Sequence, residues 1–322
     1  MTLPRVCLNM IVKNESAVIQ RCLESVVNFI DFFVIVDTGS SDNTVEKIKT
    51  FFRSYNKKGF IKTSPFVNFE ETRNLALELA YCFFKGEYIF FIDADMILVD
   101  NGFDKTTLEK DLYYITQVNN NLVYKNCRIV KNNRNFYYRG YTHEVIIPVK
   151  PTSVGEIKKI LYISDHGDGG CKSNKVERDI KLLKMDIKRF PNFSRNYFYL
   201  ANTYFFDKNY PSAIEFYQKR ISFGGWKEEV WFSLYRIGLI KILEEKDLES
   251  INYFLKAIKI NPLRLETYFF VLLVSEKRNL QKIKKSTRLK AKKIISLKPD
   301  TRNFLFYDSD ICDKKIFKII DA

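Results

Sequence analysis

Apolar positions come in short unbroken runs over the first hundred residues and then change their spacing twice. Residues 6–12 (Val-Cys-Leu-Asn-Met-Ile-Val) read as a first strand. Asn14-Glu15-Ser16 then opens a helix to about residue 28, with Ile19, Leu23, Val26 and Val27 on one face. Residues 32–36 form a second strand, followed by the loop Asp37-Thr38-Gly39-Ser40-Ser41-Asp42-Asn43-Thr44 and a helix over 45–52. A third strand is expected near 60–63, a helix over 71–84, and a fourth strand from Tyr88 that delivers Asp93 and Asp95. Strand and helix alternating in this way predict a parallel sheet with crossover helices and a ligand crevice at the strand ends.

Between residues 112 and 163 the segments are short, aromatic and β-branched, as in antiparallel strands. After Cys171 nearly everything has helical periodicity, with a weak internal repeat. Pro262 and Pro299 close similar runs 37 positions apart, and Ala213-Ile214-Glu215-Phe216-Tyr217 resembles Ser250-Ile251-Asn252-Tyr253-Phe254 at the same spacing. That period is slightly above the ~34 of a tetratricopeptide array and suggests helix-turn-helix pairs of that kind, with unrelated amphipathic helices as the alternative. Two domains are expected, residues 1–171 and 172–322: an α/β sheet domain and an all-α repeat domain.

Composition narrows the partners. The chain has 322 residues, 46% apolar and 28% charged, and a formal net charge of +15. It should fold, and it favours an anionic partner such as a nucleotide, an acidic acceptor, a nucleic acid or an anionic membrane surface. The densest basic run, 282–293, reads as a solvated helix face. Six cysteines stand far apart with no C-x-x-C pair, which suits reduced structural thiols. The start of the sequence runs straight into a strand without a signal-like apolar region, and no stretch approaches the ~20 apolar residues of a membrane span. A soluble, cytoplasmic protein is expected. No helix-turn-helix or single-strand-binding signature appears and the aromatics fall at core spacing, so nucleic acid is not the expected partner.

The chemistry centres on Asp93 and Asp95. Two acids at the end of a buried strand repel one another and lose solvent, which a hard divalent cation such as Mg²⁺ or Mn²⁺ would relieve while also holding substrate phosphates. The plainer reading is a strand that ends in a solvated Asp turn.

Five segments together, Met10-Ile-Val-Lys-Asn-Glu15, Cys22-Leu-Glu-Ser25, Val36 to Thr44, Arg73-Asn-Leu-Ala-Leu77 and Phe91-Ile-Asp-Ala-Asp95, resemble family 2 glycosyltransferases of the GT-A fold. Residues 140–144, His166-Gly167 and 175–183 are similar to a subgroup, including bacteriocin S-glycosyltransferases, in which tetratricopeptide-like helices follow the transferase domain. The resemblance implies transfer of a sugar from a nucleotide-diphosphate donor, with UDP the expected nucleotide and inversion the expected outcome. It implies that Asp95, with Asp93 and His166, holds Mn²⁺ or Mg²⁺. Lys13, Glu15, Asp37, Arg73 and Asp93 would contact the donor nucleotide, and Glu144, with His143 beside it, would be the base on the acceptor side. A polypeptide or protein-linked glycan is the expected acceptor, bound by the helical half, which could also dimerise. The competing classes are a non-catalytic basic repeat scaffold and a nucleic-acid-binding protein.

Overall fold

The structure, a computed structural model, describes residues 4–119, 122–170, 175–301 and 304–321. It divides into two compact units, Met1–Arg178 and Asp179–Ala322. In the first, strands β1 (Val6–Val12), β2 (Phe32–Asp37), β3 (Lys58–Thr63), β4 (Tyr88–Phe91), β5 (Met96–Asp100), β6 (Leu112–Asn119), β7 (Leu122–Lys131) and β10 (Val154–Asp165) form one mixed sheet in the order β3-β2-β1-β4-β7-β6-β10-β5 among the described residues. Strands β8 (Phe136–Arg139) and β9 (Val145–Pro148) pair as a separate ribbon. The β3-β2-β1-β4 half is parallel, as the alternation of strand and helix dictates.

Alternation along β1 explains how the sheet is covered. Val6, Leu8, Met10 and Val12 face the helices α1 (Ile19–Val26) and α2 (Thr44–Ser54), packing with Ile19, Leu23, Ile48 and Phe52. Cys7 points the other way, toward Leu77 and Ala80 of α3 (Phe69–Phe83). With apolar layers on both faces, the polar chemistry collects at the carboxyl ends of β2, β1 and β4.

Three expectations need correction. Residues 14–18 do not open a helix: Asn14 adopts φ +54°, and the backbone amides of Glu15 and Ser16 donate to side chains of the next loop, so α1 starts only at Ile19. The apolar run after Asp95 is a strand in its own right, β5, placed at the far edge of the sheet against β10. The 112–163 region is not antiparallel throughout, because β10 runs parallel to β6.

The second unit is a run of helical hairpins: α5 (Ser194–Phe206) with α6 (Tyr210–Ser222), α7 (Lys227–Leu243) with α8 (Asp247–Ile260), and α9 (Leu265–Lys277) with α10 (Gln281–Leu297). Preceding them in the chain is α4 (Lys175–Arg189), whose Leu183 packs with Leu200 of α5 and Ala213 of α6. The hairpin turns repeat atom for atom. Lys208, Glu245 and Asn279 each adopt left-handed φ, and the amide of the following residue returns to the carbonyl five residues back: Asn209 to Tyr204 at 2.9 Å, Lys246 to Lys241 at 2.8 Å, Leu280 to Ser275 at 2.8 Å. The 37-residue spacing therefore marks equivalent positions of α6 and α8, where Ala213 and Ser250, and Tyr217 and Phe254, are all buried.

Close approach of α7 to α8 rests on Gly238. A Cβ there would lie 2.5 Å from Phe254 Cε1, and the ring is fully buried. Gly238→Ala should destabilise the helical unit by about 1–3 kcal/mol, because overpacking outweighs the ~0.5–1 kcal/mol gain in helix propensity. A melting curve of the variant checks this, and an unchanged or raised melting temperature would refute it.

Candidate active site

The loops that follow β1 and β2 are sewn together by side chains. The Asn14 amide donates to Ser40 Oγ at 2.9 Å and the Ser41 amide to Asn14 Oδ1 at 2.8 Å. Glu15 N–H donates to Thr44 Oγ1 at 2.7 Å and Ser16 N–H to Asp42 Oδ2 at 3.1 Å. Asp37, at the end of β2, is buried and accepts from the amides of Gly39 and Ser40 at 3.2 Å, so its carboxylate shapes the turn that follows it. Lys13 is partly exposed in the turn after β1.

Asp93 lies at the end of β4 between two guanidinium groups. Arg73, on α3, donates from Nη2 to Asp93 Oδ1 at 2.7 Å and from Nε to Glu144 Oε1. Arg128, a buried arginine on β7, places Nη1 3.4 Å from Asp93 Oδ2. Burial alone would raise the Asp93 carboxyl, but Arg73 and Arg128 together outweigh it and hold the group at about 2. Behind Arg128 a relay continues: its Nε donates to buried Gln117 Oε1 at 2.9 Å, Gln117 Nε2 to Tyr124 Oη at 3.2 Å, and Tyr124 Oη to Asp165 Oδ2 at 3.2 Å.

Glu144 is brought to Arg73 by the first turns of α3. Asn74 exchanges hydrogen bonds with the backbone of Tyr138 at 2.7 and 2.9 Å, and Gly140 N–H donates to Glu70 Oε2 at 2.6 Å. Phe69 N–H donates to Tyr141 C=O at 3.1 Å. The chain then turns through Gly140 at φ +112° and His143 at φ +52°, which brings the Glu144 carboxylate against the arginine. Glu144 thus faces a cation rather than the other carboxylates.

Asp95 and Glu15 form the second half of the site. The glycine loop after β10 crosses both: Gly169 N–H lies 3.4 Å from Asp95 Oδ2, and Gly170 N–H donates to Glu15 Oε2 at 3.0 Å. A Cβ on Gly169 would sit 3.0 Å from Glu15 Oε2 and 3.2 Å from Asp95 Oδ2, and one on Gly170 would sit 1.9 Å from Asn14 O. The glycines are what lets the backbone come this near. Burial, then the Asp93 and Asp165 charges, raise the Asp95 carboxyl above its ordinary range. Burial raises Glu15 likewise; the Gly170 amide opposes this and Asp95, Asp93 and Asp42 add to it. The His166 amide donates to Asp95 C=O at 3.2 Å, but its exposed ring sits 3.3 Å from Ser164 Oγ. Among the described residues no three His, Cys, Asp or Glu side chains gather as a metal-ligand group.

The profile of the family described as "Glycosyl transferase family 2" matches residues 7–178, more than half of the chain. The chain belongs to glycosyl transferase family 2. Among curated proteins it is similar to the SPbeta prophage-derived glycosyltransferase SunS of Bacillus subtilis (strain 168) and to glycosyltransferase SunS of Bacillus phage SPbeta, 25% identical over 235 residues in each case. The match takes in 68% of this chain and 54% of theirs, so the chain spans about half the length of the curated relatives it matches. Solved structures similar to part of the chain include the MamA RS-1 ArsTM double mutant (13% identical, TM-score 0.34, 39% of this chain and 70% of that one). Another is YrrB, described as a TPR protein with an unusual peptide-binding site (16% identical, TM-score 0.33, 38% and 61%).

The structure gathers Glu15, Asp37, Arg73, Asp93, Asp95 and Glu144 around the strand ends of this family 2 domain, with His166 joined to Asp95 through its backbone. Arg128, Gln117, Tyr124 and Glu70 escaped the sequence reading. A signal existed for Arg128: an arginine directly ahead of Ile129-Val130 in a buried strand requires a buried anion.

Proposed function

We propose that the protein moves a sugar from a nucleotide-diphosphate donor, UDP-linked by preference, to a polypeptide or protein-linked glycan, with inversion and with help from a divalent cation. One observation carries the reading: Glu15 and Asp95 converge beneath a glycine loop, and both hold protons more tightly than free carboxylic acids do. An oxygen-only pair of this kind fits a hard divalent ion such as Mn²⁺ or Mg²⁺, with Asp95 and Glu15 as its holders and His166, whose amide bonds the Asp95 carbonyl, as a further candidate. When bound, the ion would offset charge on a departing diphosphate.

The remaining chemistry belongs to the side chains. Asp93, kept ionised by Arg73 and Arg128, suits acceptance of ribose hydroxyls. Asp37 and Lys13, on the walls formed by the first two loops, complete the proposed donor contacts. Glu144 accepts the Arg73 bond through Oε1, and Oε2 accepts none among the described residues, which suits removal of a proton from the attacking acceptor group. His143, in the strained turn beside it, would orient the acceptor or share the proton. The likeness to SunS supports a glycosyltransferase reaction, and stacked helical hairpins provide the extended surface that polypeptides use.

A panel of UDP-, GDP- and CDP-sugars, scored for hydrolysis and for donor-induced rise in melting temperature with and without Mn²⁺, tests this. Turnover of at least one donor, dependent on the cation, is expected. Indifference to every donor would refute the proposal.

A further inference from the structure

Helix α10 is the basic run of the sequence, and the transfer chemistry makes no use of it. Over its 17 residues it carries Lys282, Lys284, Lys285, Arg288, Lys290, Lys292 and Lys293 and no acid. Its inner face is Thr287, Ala291 and Ile294, all buried. The opposite face is exposed: Lys282, Lys285, Lys290, Lys292 and Lys293 point outward, and Leu289 and Leu297 stand among them at 63% and 57% exposure. At 100° per residue positions 282, 285, 289, 293 and 297 fall within an arc of about 120°, so Lys282, Lys285 and Lys293 share one face with Leu289 and Leu297. Lys284, on the inner side of the helix, pairs with Glu276 of α9.

A merely solvated helix face has no need of two exposed leucines flanked by lysines on one stripe, and acids usually alternate with bases there. We infer that α10 docks on the anionic headgroup layer of a lipid bilayer, its lysines at phosphate depth and Leu289 and Leu297 entering the acyl boundary. Three features separate this from nucleic-acid binding. Lysine outnumbers arginine six to one in the helix, there is no aromatic side chain to stack on a base, and the apolar groups are aliphatic. No helix of the described residues is long and apolar enough to cross a membrane, so the attachment would lie in the plane of the interface.

Flotation of the whole protein with vesicles tests the inference. The protein should partition onto phosphatidylcholine vesicles containing about a third phosphatidylserine, weakly onto phosphatidylcholine alone, and less at high salt. Lys285→Glu/Lys292→Glu/Lys293→Glu should lower the partition coefficient by roughly 100-fold or more. Leu289→Ser/Leu297→Ser, which keeps every charge, should lower it roughly tenfold. Donor hydrolysis and melting temperature should be unchanged in both. Failure to float with anionic vesicles overturns the inference. So does capture by an oligonucleotide that the leucine variant leaves intact, if vesicle binding is likewise indifferent to the leucines.

Discussion

Asparagine in place of Asp95 is expected to have two effects of opposite sign: transfer and donor hydrolysis fall by roughly 10²–10³-fold or more, while the cation-free protein becomes more stable. The loss would follow from removing a carboxylate proposed to hold the cation. The gain follows from the charges already present. Asp95 and Glu15 lie together beneath Gly169, and both hold protons more tightly than ordinary carboxylic acids because they are buried beside other carboxylates. A raised pKa in the folded state means the stabilisation is complete below the unfolded carboxyl range and is lost as pH rises through the raised values. At neutral pH without a cation the pair is therefore a liability, and Asp95→Asn removes half of it. Chelator-treated variant should melt roughly 1–3 °C above wild type near pH 7.5, with the difference shrinking toward pH 5. Added Mn²⁺ should stabilise wild type more at pH 7.5 than at pH 5 and leave the variant unmoved. A variant that melts lower than wild type in chelator would show that Asp95 is held by unshared native contacts instead.

The second large effect is expected at Arg73. Arg73→Leu strips one cation from Asp93 and places a leucine against the Glu144 carboxylate, both only partly exposed at 26% and 13%. Leaving partly buried charges without their partner costs about 2–4 kcal/mol, part of which Arg128, at 3.4 Å from Asp93, restores. Asp93 also reverses the pH logic of its neighbour. Held at about 2, it contributes stability above the ordinary carboxyl range that is lost as pH falls toward 2. The Arg73→Leu variant should consequently lose much of its resistance to acid unfolding. Glu144→Gln in the same chain should recover at least about 1 kcal/mol, because the orphaned carboxylate is then neutral. Urea denaturation of the two single variants and the double gives the coupling. Strictly additive losses would contradict the pairing.

Strands β2 and β4 were legible because each is an unbroken apolar run, and a turn rich in capping residues, 37–44, follows β2. The helical hairpins were legible through Ile214 and Ile251, which occupy equivalent places in α6 and α8. What escaped depends on partners distant in the chain. Residues 14–16 carry helix-opening side chains, yet their amides are claimed by Ser40, Thr44 and Asp42 of the next loop, and propensity yields to that pairing. The β5 strand continues the apolar run that carries the acids, so no local feature announced its separation from β4. In the site, the motif positions came together at the strand ends, whereas the charge environment did not follow from spacing. Asp93 and Asp95 stand two positions apart, and one is fixed by arginines from α3 and β7 while the other is left against Glu15.

The most direct test is the equilibrium binding of UDP to wild type and to Asp95→Asn, each measured in chelator and in saturating Mn²⁺. The cation should tighten UDP binding by wild type at least about tenfold and leave the variant's affinity unchanged. Equal affinity of wild type in chelator and in Mn²⁺, or an equal gain in the variant, would contradict a cation shared between the acidic pair and a diphosphate.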